Sequence, residues 1–212
     1  WDRVQHIEGR GGAFPLECSL AKHRIWGITV DMGREFHGHL TLDIEAPKGS
    51  SVEVLFEEQK RPDGLAGRRH YEPADPADAY TLRGGRQQIE GFRSNGGRYI
   101  QLVVRGPEGS SEKVMIHQVG IRSAEIDVNM RGRFSCSDPV FNWAWEASKA
   151  TFAVCQSDVY LPDVWRERGL AVADNRLSTF INRYLDADMR VSRRSVDFFR
   201  SGLGFFEEGI LN

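Results

Sequence analysis

The chain has 212 residues, with 28 Lys and Arg against 30 Asp and Glu and a formal net charge of -2. A hydrophobic fraction of 40% and an aromatic fraction of 10% suffice for a packed core, in one large domain or two modest ones. Arginines scattered among acids give no handle for nucleic acid or an anionic membrane, and no apolar run approaches the ~20 residues of a membrane span.

The opening, "WDRVQHIEGR", starts without Met and lacks the apolar centre of a signal peptide, so a trimmed or excised start is expected. The compartment stays open, the cytoplasm slightly favoured over secretion or the periplasm. Cys18, Cys136 and Cys155 lie far apart with no CxxC pair. That spacing predicts buried thiols rather than a disulfide framework or a zinc cluster.

Residues 1–130 read as strands. "HLTLDIEAP" alternates Leu40, Leu42 and Ile44 with polar partners, and "SSVEVLFEE" does the same with Val52, Val54 and Phe56 after the turn signal "PKGS". Further strands are expected in "DAYTL", "RYIQLVVRG", "EKVMIHQV" and "GIRSAEIDV", with turns at "RPDG", "RGG", "NGG" and "GPEGS". Half-buried strands at short spacing without intervening helices predict an antiparallel sandwich.

From residue 131 the period changes. In "SCSDPVFNWAWEASKATFAVCQ", Ser137 or Asp138 is a candidate N-cap and Pro139 takes the first helical position. Phe141, Trp145, Ser148, Phe152 and Cys155 then form one helical stripe. "DNRLSTFINRYLDAD" places Leu177, Phe180, Ile181 and Tyr184 on one face, and a third helix is expected across "MRVSRRSVDFFRSG", stopped by Gly202. Two or three such helices expose more apolar face than they can bury on one another. With "GFFEEGILN" stopping mid-pattern, this predicts that the chain is part of something longer.

Between the first two helices runs "LPDVWRERGLAVADNR", expected to be a loop. Asp163 and Glu167 stand four apart and Asp174 follows seven later, with arginines and Trp165 between them. Clustered carboxylates accept pairs of sugar hydroxyls, an arginine fixes their charge, and a tryptophan offers an apolar face to a sugar ring. One carboxyl kept protonated by its surroundings can donate to a leaving oxygen. The plainer alternative pairs Arg166 and Arg168 with nearby acids and has Asp174 cap the next helix.

Other candidates are weaker. His37 and His39, two apart on a strand, share a face and could bind a metal, but no third ligand is near in sequence. "GGRYIQL" precedes a strand and not a helix, so it is a poor phosphate cradle. Glu57 and Glu58 read as a solvated strand end or as sandwich-surface residues, and no GxSxG elbow is present.

Several segments together resemble the bacterial α-L-rhamnosidases of glycoside hydrolase family 78. "TVDMGREFHGHLTLDIEAPKGSSVEVLFEE" is similar to the opening of that family's sandwich. "DAYTLRGG" with "GFRSNGGRYIQLVVRG" is similar to its Y-x-L-x-G … GFRY segment. "GRFSCSDPVFNWAWEASKAT" is similar to its linker and first helix. The resemblance implies an antiparallel β-sandwich (jelly-roll or concanavalin-like) over residues 1–130, followed over 131–212 by the first helices of an (α/α)6 toroid. It implies inverting hydrolysis of terminal α-L-rhamnosides, with a rhamnose-containing oligosaccharide or glycoside as partner, no cofactor and no metal, and it allows a homo-oligomer.

The quoted loop falls where the family keeps its catalytic motif, D-x-P-x-R-E-x-x-G-W-x-G-D. By resemblance Glu167 is the general acid, Asp163 and Asp174 bind rhamnose hydroxyls, and Arg166 supports the acid and contacts the sugar. Asp163 lies four residues before Glu167 where the family has five, and Asp158 is an alternative. Leu170-Ala171 stands where the family has G-W, so Trp165 is the aromatic left to contact substrate. The base that activates water is expected from later in the toroid. Two rival readings are a related toroid glycosidase of another sugar specificity and a non-catalytic carbohydrate-binding sandwich. An interaction domain without a ligand is a third.

Overall fold

Alternation drives the first part of the chain into strands, because one side chain in two then faces a core. The computed structural model describes residues 3–8 (backbone), 14–20, 25–62, 77–127, 129–186 and 188–201. Asp63 and Gly64 of "RPDG", Gly202 and the closing "GFFEEGILN" lie outside the described residues. These fall into two compact units, residues 1–123 and 124–212.

The first unit contains β1 (Arg3–Glu8), β2 (Leu16–Ser19), β3 (Ile25–Ala46), β4 (Ser51–Glu57), β5 (Ala77–Thr81), β6 (Gly85–Arg105) and β7 (Lys113–Ser123). They hydrogen-bond in the order β2-β7-β3-β6-β4-β5, with β1 added parallel to β3 and every other pair antiparallel. At 22 and 21 residues, β3 and β6 exceed ordinary strand lengths. Their register breaks between Asp31 and Phe36 and again between His39 and Thr41, where irregular pairing bends the ladder.

The bends fold one sheet into two leaves. Residues 25–31 of β3 and 99–105 of β6 run with β1, β4 and β5, while 36–46 of β3 and 85–97 of β6 run with β7 and β2. Ile28, Val30, Val54 and Leu102 from one leaf meet Leu40, Leu42, Ile44 and Ile116 from the other in one cluster, each at most 2% exposed. This is the antiparallel sandwich expected from the alternation.

Three expectations are corrected. "NGG" is not a turn: Asn95, Gly96 and Gly97 lie inside β6, opposite Gly38, His37 and Phe36. Gly97 has φ +146, and a Cβ there would stand 2.9 Å from the Glu57 carbonyl oxygen, so glycine serves a close crossing of chains. Glu57 is accordingly buried under that crossing, at 2% exposure, and is not a solvated strand end. "GIRSAEIDV" is not a separate strand; its first residues prolong β7 to Ser123.

The second unit holds α1 (Pro139–Val154), α2 (Val172–Leu185) and α3 (Arg190–Arg200). Asp138 is the N-cap of α1, its carboxylate accepting from Val140 N at 2.8 Å, with Pro139 at the first helical position as the sequence predicts. Asn142 closes the preceding loop from both sides: its Oδ1 accepts from Cys136 N at 2.9 Å and its Nδ2 donates to Cys136 O at 2.8 Å. Phe152, Tyr160, Leu185 and Val191 form the core of this unit. Tyr160 OH meets Ser192 Oγ at 3.0 Å, and burial raises the phenol above its ordinary pKa. A strap crosses the helices through Ile126 N to Gln156 O and Gly132 N to Leu185 O. Of the three thiols only Cys18 is fully buried; Cys155 is intermediate and Cys136 is exposed beside the start of α1.

Candidate active site

The α1–α2 loop begins with a tight reversal, in which Gln156 bridges Tyr160 and Leu161 N donates to Cys155 O at 2.9 Å. Apolar anchors then fix it: Val164, Trp165 and Leu170 are 5%, 9% and 4% exposed. Between these anchors Arg166 and Glu167 point to solvent, with side-chain exposures of 40% and 45%. Arg166 Nη2 forms an ion pair with Glu167 Oε1.

Asp163 makes the turn that presents this pair. Its Oδ1 accepts from Trp165 N at 2.7 Å and also from Arg166 N. Its carbonyl accepts from Arg168 N at 3.1 Å. To close that ring Arg168 takes φ +46, the one non-glycine residue with positive φ among those described. Such a conformation is costly for a residue with a Cβ and persists only where its surroundings enforce it.

Asp174 is in the first turn of α2, where the helix N-terminus favours a carboxylate. The N-cap is Ala171 without a side-chain cap bond, so Asp174 does not cap the helix as the plainer alternative had it. Asp158 is exposed at the start of the loop. The Trp165 ring is largely covered. Asp163, Arg166 and Glu167 are thus brought together in one turn, and Asp174 follows in the adjoining helix.

His37 and His39 both turn to β6: His37 Nε2 lies 3.2 Å from Ser94 Oγ, and His39 Nδ1 lies 3.1 Å from Gly91 O. Among the described residues no group of three or more His, Cys, Asp or Glu is arranged to hold a metal ion. The double role of Asp163, side chain and carbonyl together, was not evident from the sequence. An aspartate in a loop is an ordinary former of Asx turns, but spacing alone does not tell a turn-former from a ligand.

The fold and this loop define a concanavalin-like sandwich joined to an α-helical domain. Residues 26–122 match the family model of the bacterial α-L-rhamnosidase concanavalin-like domain, and the chain resembles the rhamnosidases of glycoside hydrolase family 78. The crystal structure of a rhamnosidase of that family from Bacillus sp. GL1 matches with a TM-score of 0.72 at 29% identity, over 81% of this chain and 17% of that one. A Klebsiella oxytoca rhamnosidase solved with rhamnose bound shares the fold, with a TM-score of 0.70 at 17% identity over 82% of this chain and 35% of that one. The native α-L-rhamnosidase of Aspergillus terreus does too, with a TM-score of 0.60 at 22% identity over 82% and 20%. No curated protein sequence matches the chain. The three helices correspond to the start of the rhamnosidase helical domain. The chain spans 17% and 35% of the first two rhamnosidases named.

Proposed function

We propose that the polypeptide carrying these residues is a glycoside hydrolase that releases terminal α-L-rhamnosyl groups with inversion, and that Glu167 is its general acid. What carries the reading is one chain in which a rhamnosidase-family sandwich leads into helices whose first connecting loop presents Arg166 and Glu167 to solvent. Stability alone gives little reason for such a pair, since exposed ion pairs contribute about 0–1 kcal/mol.

In this mechanism Glu167 gives its proton to the glycosidic oxygen as the bond from that oxygen to the anomeric carbon breaks. A second carboxylate, contributed by a later part of the polypeptide, takes a proton from water as its oxygen bonds to the opposite face of that carbon. Inverting geometry places the two carboxyls roughly 6.5–9.5 Å apart. In this reading Arg166 supports the acid and contacts the sugar, with Asp174 accepting rhamnose hydroxyls.

Glu167→Gln in the complete polypeptide tests the assignment. Hydrolysis of a rhamnosyl disaccharide should fall by about 10²–10⁴-fold, the usual contribution of general acid catalysis, with a smaller loss on an activated aryl rhamnoside. Unchanged disaccharide turnover would remove Glu167 from this role, and a panel of other glycosides cleaved in preference would replace rhamnose as the substrate.

A further inference from the structure

We propose that Asp163 is a positioning residue, whose carboxylate builds the turn that aims Arg166 and Glu167; this rests on the reading of Glu167 as the acid. The geometry gives Asp163 three tasks within six residues. Its Oδ1 takes the N–H groups of Trp165 and Arg166, and its carbonyl takes that of Arg168. Removing the side-chain acceptor frees two backbone donors at the turn. The bond from Arg168 N to the Asp163 carbonyl is then left as the one bond from residue 163 that closes the ring at Arg168, at φ +46.

Val164 and Trp165, buried on one side of the turn, and Leu170 on the other hold its two feet in the unit. What the carboxylate governs is the apex. There Glu167 must meet a glycosidic oxygen within hydrogen-bonding reach, and small misplacements at a reacting centre are expensive. The acceptor here is one oxygen facing two amides, so the function is geometric and does not need the negative charge. An asparagine side-chain oxygen can take the same two bonds. A residue that binds sugar hydroxyls through its charge makes the opposite demand.

The test compares Asp163→Ala and Asp163→Asn in the complete polypeptide, with steady-state hydrolysis of a rhamnosyl disaccharide and amide exchange at Trp165 and Arg166. Asp163→Ala should lower kcat at least about tenfold, with KM rising by less than kcat falls, since the turn aims Arg166 toward the sugar as well as Glu167 toward the reacting oxygen. Asp163→Asn should recover kcat to within about threefold of the parent and keep its pH profile. Exchange at the two amides should accelerate at least about tenfold in the alanine variant and stay near parental in the asparagine variant, while strand amides do not change. An asparagine variant as impaired as the alanine one, or one whose defect is a raised KM, overturns the proposal in favour of a charge-based contact. Parental amides at Trp165 and Arg166 exchanging as fast as free peptide overturn the turn itself. If the parent cleaves no rhamnoside, the functional reading and the positioning role fall together, while the exchange data still decide who holds the turn.

Discussion

Asp31 shows how much one residue can hide in a sequence. Its spacing to Gly33 is a visible motif, and the structure gives it a reason: Gly33, at φ +79, donates its N–H to Asp31 Oδ1 at 2.8 Å. The stronger partner lies 67 positions away, where Arg98 forms a two-pronged pair with both carboxylate oxygens at 2.8 and 2.9 Å. The hydrogen bond from Arg98 holds the Asp31 carboxyl below its ordinary pKa, against partial opposition from burial. A depressed folded pKa means stability that is present above the unfolded value and lost as pH falls through the folded one. With Arg98 42% exposed, solvent screens the pair and the contribution is under about 1 kcal/mol. Arg98→Gln should therefore shift the Asp31 titration upward toward the ordinary aspartate range, measurable by carboxyl carbon NMR. A titration that does not move would show that Arg98 is not the cause. At the candidate site the same limit applied. The R-E pair was legible as a motif, but the Asp163 bonds depend on backbone directions that residue identities do not encode.

Among elements, the strands that alternate cleanly were legible and those that bend were not. Val52, Val54 and Phe56 mark β4 by period alone, and the D-P signal at Asp138-Pro139 marks the start of α1. By contrast the middle of β6 carries the paired glycines Gly96 and Gly97, which read as a turn because a bend and a turn use the same residues. Gly38 in β3 makes the distinction physical. A Cβ there would overlap the Arg122 carbonyl oxygen and the Ile121 side chain on β7, so the pairing of these strands depends on its absence. Overfilling a packed site typically costs about 1–3 kcal/mol. Gly38→Ala should accordingly lower the thermal midpoint of the sandwich, followed by near-ultraviolet circular dichroism. An unchanged midpoint would mean that β3 and β7 separate freely enough to admit a methyl group.

At the scale of the molecule, the helical unit leaves much of its apolar surface uncovered. Phe141 and Trp143 on α1 and Leu177, Phe180, Ile181 and Tyr184 on α2 are 45–75% exposed. The periodicity showed the α2 stripe and Phe141 on α1 but not Trp143, and the surplus of apolar face over available partners followed from having so few helices. Exposed apolar surface of this extent binds hydrophobic dyes. Replacing Leu177, Phe180 and Tyr184 together with serine in the 212-residue chain should reduce the fluorescence of bound anilinonaphthalene sulfonate by about half or more, with far-ultraviolet circular dichroism retained. Undiminished dye binding would locate the sticky surface elsewhere.

Because β3 and β6 each pass through both leaves, the sandwich is joined along its spine by unbroken polypeptide. Two separate sheets can slide over one another; these cannot, since any sliding would have to stretch covalent backbone. The freedom that remains is a change of angle at the corner near residues 31–36. A force or a partner acting on one leaf is therefore felt by the other as a hinge movement rather than as slip.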